Sequence, residues 1–275
     1  MESLSLFVTC MVDMFRPQAG QAALRVLERR GAQVHFLADQ TCCGQFSYNA
    51  GYAHEAALLG RHWIEVFEAT QDPIVTLSGS CAAMVIHTYP DLIKDDIIAQ
   101  GGNAEDAAAW QQRAIRVGQR VFELSQWLLQ SESPPSPETE DPAEDAPPLI
   151  YHLGCHMRRV LQATTEAQTV LARSGVPAQE PEDQDQCCGF GGTYSMTEPM
   201  VSTALADTKW KYIHEKADAT SAIALTSADL GCLLHLQGRA SRQGDPFPCL
   251  HLAEVVDLRD QGRLTAKNLV SEAKP

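Results

Sequence analysis

Eight of the nine cysteines fall into two sets with one spacing. Cys10, Cys42, Cys43 and Cys81 form the first set, and Cys155, Cys187, Cys188 and Cys232 the second. In each set 31 residues separate the first cysteine from an adjacent pair, and glycine follows the pair ("TCCGQF", "QCCGFG"). The offset between sets is 145 residues for the first three cysteines and 151 for the last. Packing alone does not require matched spacing, so the pattern reads as an internal duplication. Cys249, in "PFPCLHL", lies outside the repeat and reads as a packed apolar side chain.

Sets of four thiolates suit metal chemistry. A disulfide between neighbouring cysteines is strained, and a reducing compartment opposes a disulfide framework. Zinc accepts four thiolates, but its sites use C-x₂₋₄-C knuckles, and this chain has no C-x-x-C. A polynuclear iron–sulfur cluster presents several irons, so adjacent cysteines can reach different irons. That geometry ranks iron–sulfur above zinc, and zinc remains the competing reading. Without C-x-x-C, thiol–disulfide exchange is disfavoured. Cys155 and His156 adjoin in sequence, which is not the spatial pairing a cysteine nucleophile needs. Gly44 and Gly189, with Gly191 and Gly192 close behind, allow φ > 0 and backbone N–H groups near the sulfurs.

The elements that must position these residues alternate. "SLFVTC", "QVHFLADQTCC" and "PIVTLSGSC" read as strands leading to cysteines. "PQAGQAALRVLERRG" and "NAGYAHEAALLGRHWIEVFEAT" have helical periodicity, and "AEDAAAWQQRAIRVGQRVFELSQWLLQ" predicts a long helix. "PLIYHLGC" and "SAIALTSADLGC" echo the first half, whereas a strand near "VPAQEPEDQDQCC" is poorly marked. The predicted fold is α/β: two similar lobes, each a mainly parallel sheet covered by helices. Ligands of such sheets gather at the carboxyl ends of the strands, where the cysteines fall.

The predicted division is a first lobe over 1–130, an acidic Pro-rich linker over 131–148 and a second lobe over 149–275. "SESPPSPETEDPAEDAPP" holds six prolines and six acids without apolar periodicity. A net charge of -14 with no basic stripe argues against nucleic acid or an acidic membrane surface as partner. No apolar run reaches 18 residues, so no membrane span is predicted. "MESLSLFVTCMVDMF" lacks a basic n-region and reads as a buried strand, which makes the cytoplasm the expected compartment.

Taken together, "SLFVTCMVDMF", "CCGQFSYNAGY", "SGSC", "CCGFGGTYS", "ADLGCLLH" and "HLAEVVDL" resemble a known pattern. Two copies of C-x₃₁-CC-G…C resemble the CCG cysteine-rich domains found in heterodisulfide reductase and in the glycolate oxidase iron–sulfur subunit. The wording is most similar to the lactate-utilisation protein A family. The resemblance implies one iron–sulfur cluster per lobe, held by the eight cysteines of the two sets. It implies an electron-transfer subunit of an L-lactate-oxidising, non-NAD oxidoreductase complex that makes pyruvate with two partner proteins, one of them iron–sulfur. A zinc-stabilised scaffold and a heterodisulfide- or thiol-reducing subunit stay open as alternatives.

One departure bears on the cluster. The heterodisulfide reductase pattern ends each domain in C-x-x-C, and here Ser78 and Asp229 stand at the first of those positions. Four thiolates per lobe suit a [4Fe–4S] cube. Ser78 and Asp229 are also good N-caps for the helices that follow. His156, Arg158 and Arg159 could place cations beside an anionic cluster, or form an exposed basic turn. His87 and His235 read as packed or surface side chains.

Overall fold

The computed structural model describes residues 2–131, 146–245 and 247–272. Most of the predicted linker therefore lies outside the described residues. Two four-stranded sheets, every pairing parallel, carry the two cysteine sets. The first contains β1 (Glu2–Phe7), β2 (Ala32–His35), β3 (Ile74–Thr76) and β4 (Val121–Glu123), in the order β2-β1-β3-β4. The second contains β5 (Leu149–Tyr151), β6 (Ala178–Gln179), β7 (Leu225–Ser227) and β8 (Cys249–His251), in the order β6-β5-β7-β8. The same order twice is the duplication in three dimensions. Ser5 pairs with Ile74 in one sheet as Ile150 pairs with Leu225 in the other. Helices cover both faces, so β3 and β7 are buried throughout.

Two local expectations give way. The long helix predicted near residue 120 covers only Ala104–Gly118; β4 follows, then the helix Leu124–Gln130. Val117, Val121, Leu124 and Leu128 are all buried at spacings of four, three and four. Apolar periodicity thus reads straight through the break, and only pairing with β3 makes residues 121–123 a strand. The adjacent cysteines are also further from their strands than predicted. β2 ends at His35 and β6 at Gln179, so each pair closes a loop.

The lobes share one core. Leu4, Val26 and Leu27 of the first lobe belong to the same buried cluster as Val255, Val256 and Leu258 of the second. Across this join the helix Pro17–Arg29 meets the helix Leu252–Asp260. Ion pairs flank it: Arg16–Glu254 at 2.9 Å, Arg25–Asp257 at 2.6 Å, Arg29–Asp257 at 2.8 Å and Arg30–Asp260 at 2.9 Å. His251 fastens the sheets. Its Nδ1 accepts from Ala253 N–H, so Nε2–H donates to Leu77 O (2.9 Å) in one lobe and Ala228 O (3.1 Å) in the other. Among the described residues no helix is long and apolar enough to cross a membrane.

Candidate metal centres

Each sulfur set gathers where the strands of its sheet end. Cys10 opens the helix Cys10–Phe15 just after β1, and Cys155 opens Cys155–Arg159 just after β5. Cys81 lies in the helix Gly79–Ala83 after β3, and Cys232 in Leu230–Gln243 after β7. The pairs Cys42–Cys43 and Cys187–Cys188 arrive on the loops. Gly44 (φ 81°) and Gly189 (φ 90°) turn the chain back from the pairs in a left-handed conformation. A Cβ on Gly189 would meet Ser202 O at 2.3 Å, so no larger residue fits there.

All eight sulfurs are unbridged. Cys10 and Cys42 Sγ are 3.5 Å apart, and Cys43 and Cys81 Sγ 3.3 Å. Backbone amides point at them: Gly44 N–H donates to Cys42 Sγ (3.4 Å), Gly189 N–H to Cys187 Sγ (3.4 Å) and Phe190 N–H to Cys188 Sγ (3.5 Å). Donors from the Cys10 and Cys43 thiols hold Cys42 down to about 3, and donors from Cys155 and Cys188 hold Cys187 down to about 2. Cys10 and Cys155 are pushed up chiefly by giving their S–H to that neighbour, and Cys43 and Cys188 likewise. A buried set of this kind keeps some of its thiols protonated unless a cation compensates the charge. Metal ions supply that compensation and deprotonate coordinating thiols.

The donor set also says which kind of metal group fits. A lone zinc ion with four thiolates needs every sulfur–sulfur separation near about 3.8 Å. Among the described residues, no three of the four sulfurs in either lobe lie within 4.8 Å of one another. In the first lobe the sulfurs stand as two close pairs, Cys10 with Cys42 and Cys43 with Cys81, and not as four atoms closed around one ion. Both sets open on one cleft between the lobes, lined also by Gln45, Phe46, His156 and Phe190. Phe46 and Phe190, three and two residues past their cysteine pairs, meet edge to face at 5.9 Å. Gln45 Nε2 donates to His156 Nε2 at 2.9 Å across the cleft.

Ser78 caps the Gly79–Ala83 helix as predicted, accepting from Cys81 N–H. Asp229 does not cap its own helix. Its Oδ1 instead accepts from Ser78 Oγ–H (2.7 Å) and Ser80 N–H (3.0 Å), so a carboxylate of the second lobe caps a helix of the first. Arg158 pairs with Glu180, and Arg159 donates to Asp185 O, which ties both to the loop before Cys187. His87 is exposed, and His235 is half-buried against Ser202. Cys249 is fully buried in β8, and burial pushes its thiol up to about 12, in line with the packing reading.

Sequence reasoning missed His152. It is fully buried, neither ring nitrogen has a hydrogen-bond partner, and burial pushes it down to about 3. The signal was there: His152 stands three residues before Cys155, where Phe7 stands before Cys10. Tyr89 was also missed; its buried hydroxyl donates to Cys43 O at 2.8 Å and steadies the pair.

The CCG cysteine-rich domain matches twice, over residues 4–86 and 149–237. A lactate utilization protein A from Halalkalibacterium halodurans is 36% identical over 261 residues, covering 94% of this chain and 98% of its own. The chain belongs to the lactate utilization protein A family. Lactate utilization protein A 2 from Bacillus cereus is 34% identical over 254 residues, covering 92% and 97% of the two chains. A crystal structure of a hypothetical protein from Helicobacter pylori is similar in fold, with a TM-score of 0.59 at 12% identity. That likeness covers 98% of this chain and 51% of the other.

Proposed function

We propose that the chain is the iron–sulfur electron-transfer subunit of a complex that oxidises L-lactate to pyruvate. The carrying observation is the pair of unbridged four-sulfur sets facing one cleft. The names of the relatives supply the substrate class. In this reading Cys10, Cys42, Cys43 and Cys81 hold one cluster, and Cys155, Cys187, Cys188 and Cys232 the other. Such clusters, when bound, take up and release single electrons at potentials set by charge, hydrogen bonds and solvent access. Oxidation of lactate to pyruvate releases two electrons and two protons, and two one-electron groups match that count.

The chain's own residues prepare the place. The Gly44, Gly189 and Phe190 amides donate to cysteine sulfurs and offset negative charge. Phe46 and Phe190 cover the cleft between the sets and limit water there. Asp229 and His251 fix the separation of the lobes, and with it that of the two sets. The lactate-oxidising step and the electron acceptor belong to two partner proteins in a reducing, cytoplasmic compartment.

Anaerobic purification with iron and acid-labile sulfide assays tests the reading. The expected content is about eight irons and eight sulfides per chain, one [4Fe–4S] group per lobe. Stoichiometric zinc without sulfide sinks it.

A further inference from the structure

The two lobes are not chemically equivalent. Phe7, three residues before Cys10, is fully buried and packs edge to face on Trp63 (5.4 Å) and Phe67 (5.6 Å). His152 takes that place in the second lobe. The change extends one shell outward. Gly44 abuts Ala56 as Gly189 abuts Ser202, and seven residues beyond these contacts stand Trp63 and Lys209. Lys209 is buried, with Nζ donating to Asp183 O at 3.1 Å. An aromatic pair in one lobe is therefore a polar pair in the other.

Burying an imidazole with neither ring nitrogen partnered is costly, because each unmet group loses its water. Buried polar groups in native proteins have partners as a rule, so one left unmet points to something that meets it. The direction is given by position. A ring nitrogen of His152, Cys188 Sγ and Cys232 Sγ all lie within 4.8 Å of one another, the one such trio of metal-binding atoms among the described residues. From there a small side-chain rotation brings the ring nitrogen within reach of a metal held by either sulfur. Neutral imidazole is a common metal ligand and replaces thiolate on iron in some iron–sulfur centres, where it raises the potential.

We propose that His152 is a fifth protein ligand to the second lobe's metal centre, beside Cys188 and Cys232, so that the two lobes hold unlike centres. The proposal rests on the iron–sulfur reading above and adds to it a division of labour. The added donor gives the second-lobe centre a potential different from that of the first.

Full-length protein carrying ¹⁵N-histidine, purified anaerobically, decides the matter by hyperfine spectroscopy in whichever redox state is paramagnetic. Iron and sulfide are assayed on the same sample. The expected result is an imidazole nitrogen coupling that scales with the isotope, persists in Cys43→Ser and vanishes in His152→Phe. In His152→Phe one of two midpoint potentials moves and the other stays. Full iron and sulfide without a histidine coupling overturns the proposal while leaving the cluster reading intact, and so does a coupling unchanged in His152→Phe. Absence of iron and sulfide overturns both. Should His152→Phe fail to fold, His152→Asn and His156→Gln assign the coupling: loss in the first alone is expected, and loss in His156→Gln alone overturns the proposal.

Discussion

A vicinal pair of cysteines is a poor structural device and a good ligand device. Cys42 and Cys43 reach different partners beyond each other: Cys42 meets Cys10, and Cys43 meets Cys81. A glycine immediately behind each pair lets the chain fold back without a Cβ clash and aims an amide at sulfur. Cys249 has none of these attributes. It sits in a strand, out of reach of either set, with its S–H donated to Phe247 O. Cys43→Ser and Cys188→Ser are each expected to remove about half of the bound iron and sulfide, with one lobe's signal lost in each. Cys249→Ser is expected to keep both. Iron and sulfide assays on the three variants check this, and equal loss in Cys249→Ser would put the ninth cysteine among the ligands.

Elements explain which features could be read in advance. The cysteine sets were readable because ligand spacing repeats and is indifferent to the surrounding sequence. The parallel order followed from alternation of strands and helices. β4 was not readable, because Val117, Val121, Leu124 and Leu128 keep helical spacing across it. Asp229 was half readable: its residue type announces a cap, but only the docked lobes decide that it caps Ser80 N–H instead of its own helix. The fourth strands end in matching capping boxes of opposite chemistry. Glu123 accepts from Ser125 N–H and receives Gln126 at its own N–H, while His251 and Glu254 do the same in the second lobe. Burial pushes the Glu123 carboxyl up to about 7, against 4.5 when free. Above pH 4.5 the unfolded chain releases this proton, whereas the fold holds it until about pH 7. Stability from this residue is therefore full below pH 4.5 and declines as pH rises to about 7, by roughly 3 kcal/mol. Burial shifts His251 downward, so its term runs the other way, falling as pH drops below about 6.5. Glu123→Gln keeps an acceptor for Ser125 and removes the first term alone. Relative to the unmodified chain, Glu123→Gln should raise the urea midpoint at pH 7.5 over that at pH 5, and an unchanged difference would show that Glu123 titrates normally in the fold.

At the scale of the molecule, the question is whether two lobes from a duplicated sequence behave as two units or one. A continuous core and a belt of arginine–carboxylate pairs argue for one. Arg30 and Asp260 close that belt. Both are buried, and the guanidinium meets both carboxylate oxygens, at 2.9 Å and 3.2 Å. Such a pair adds little beyond what apolar residues would give, but removing one partner strands a buried charge, at a cost of about 3–5 kcal/mol. Asp260→Ala is therefore expected to lower stability by about that amount. Arg30→Met with Asp260→Leu is expected to recover most of the loss, because both charges then go together. The same comparison tests the unity of the lobes. If the join is part of one cooperative structure, Asp260→Ala shifts a single unfolding transition as a whole, by fluorescence of Trp63, Trp110 and Trp127 in the first lobe and, in variants that keep Trp210 alone, of the second. A transition that splits, with Trp210 reporting a different midpoint from the others, would mean that the lobes fold independently and that the belt merely docks them.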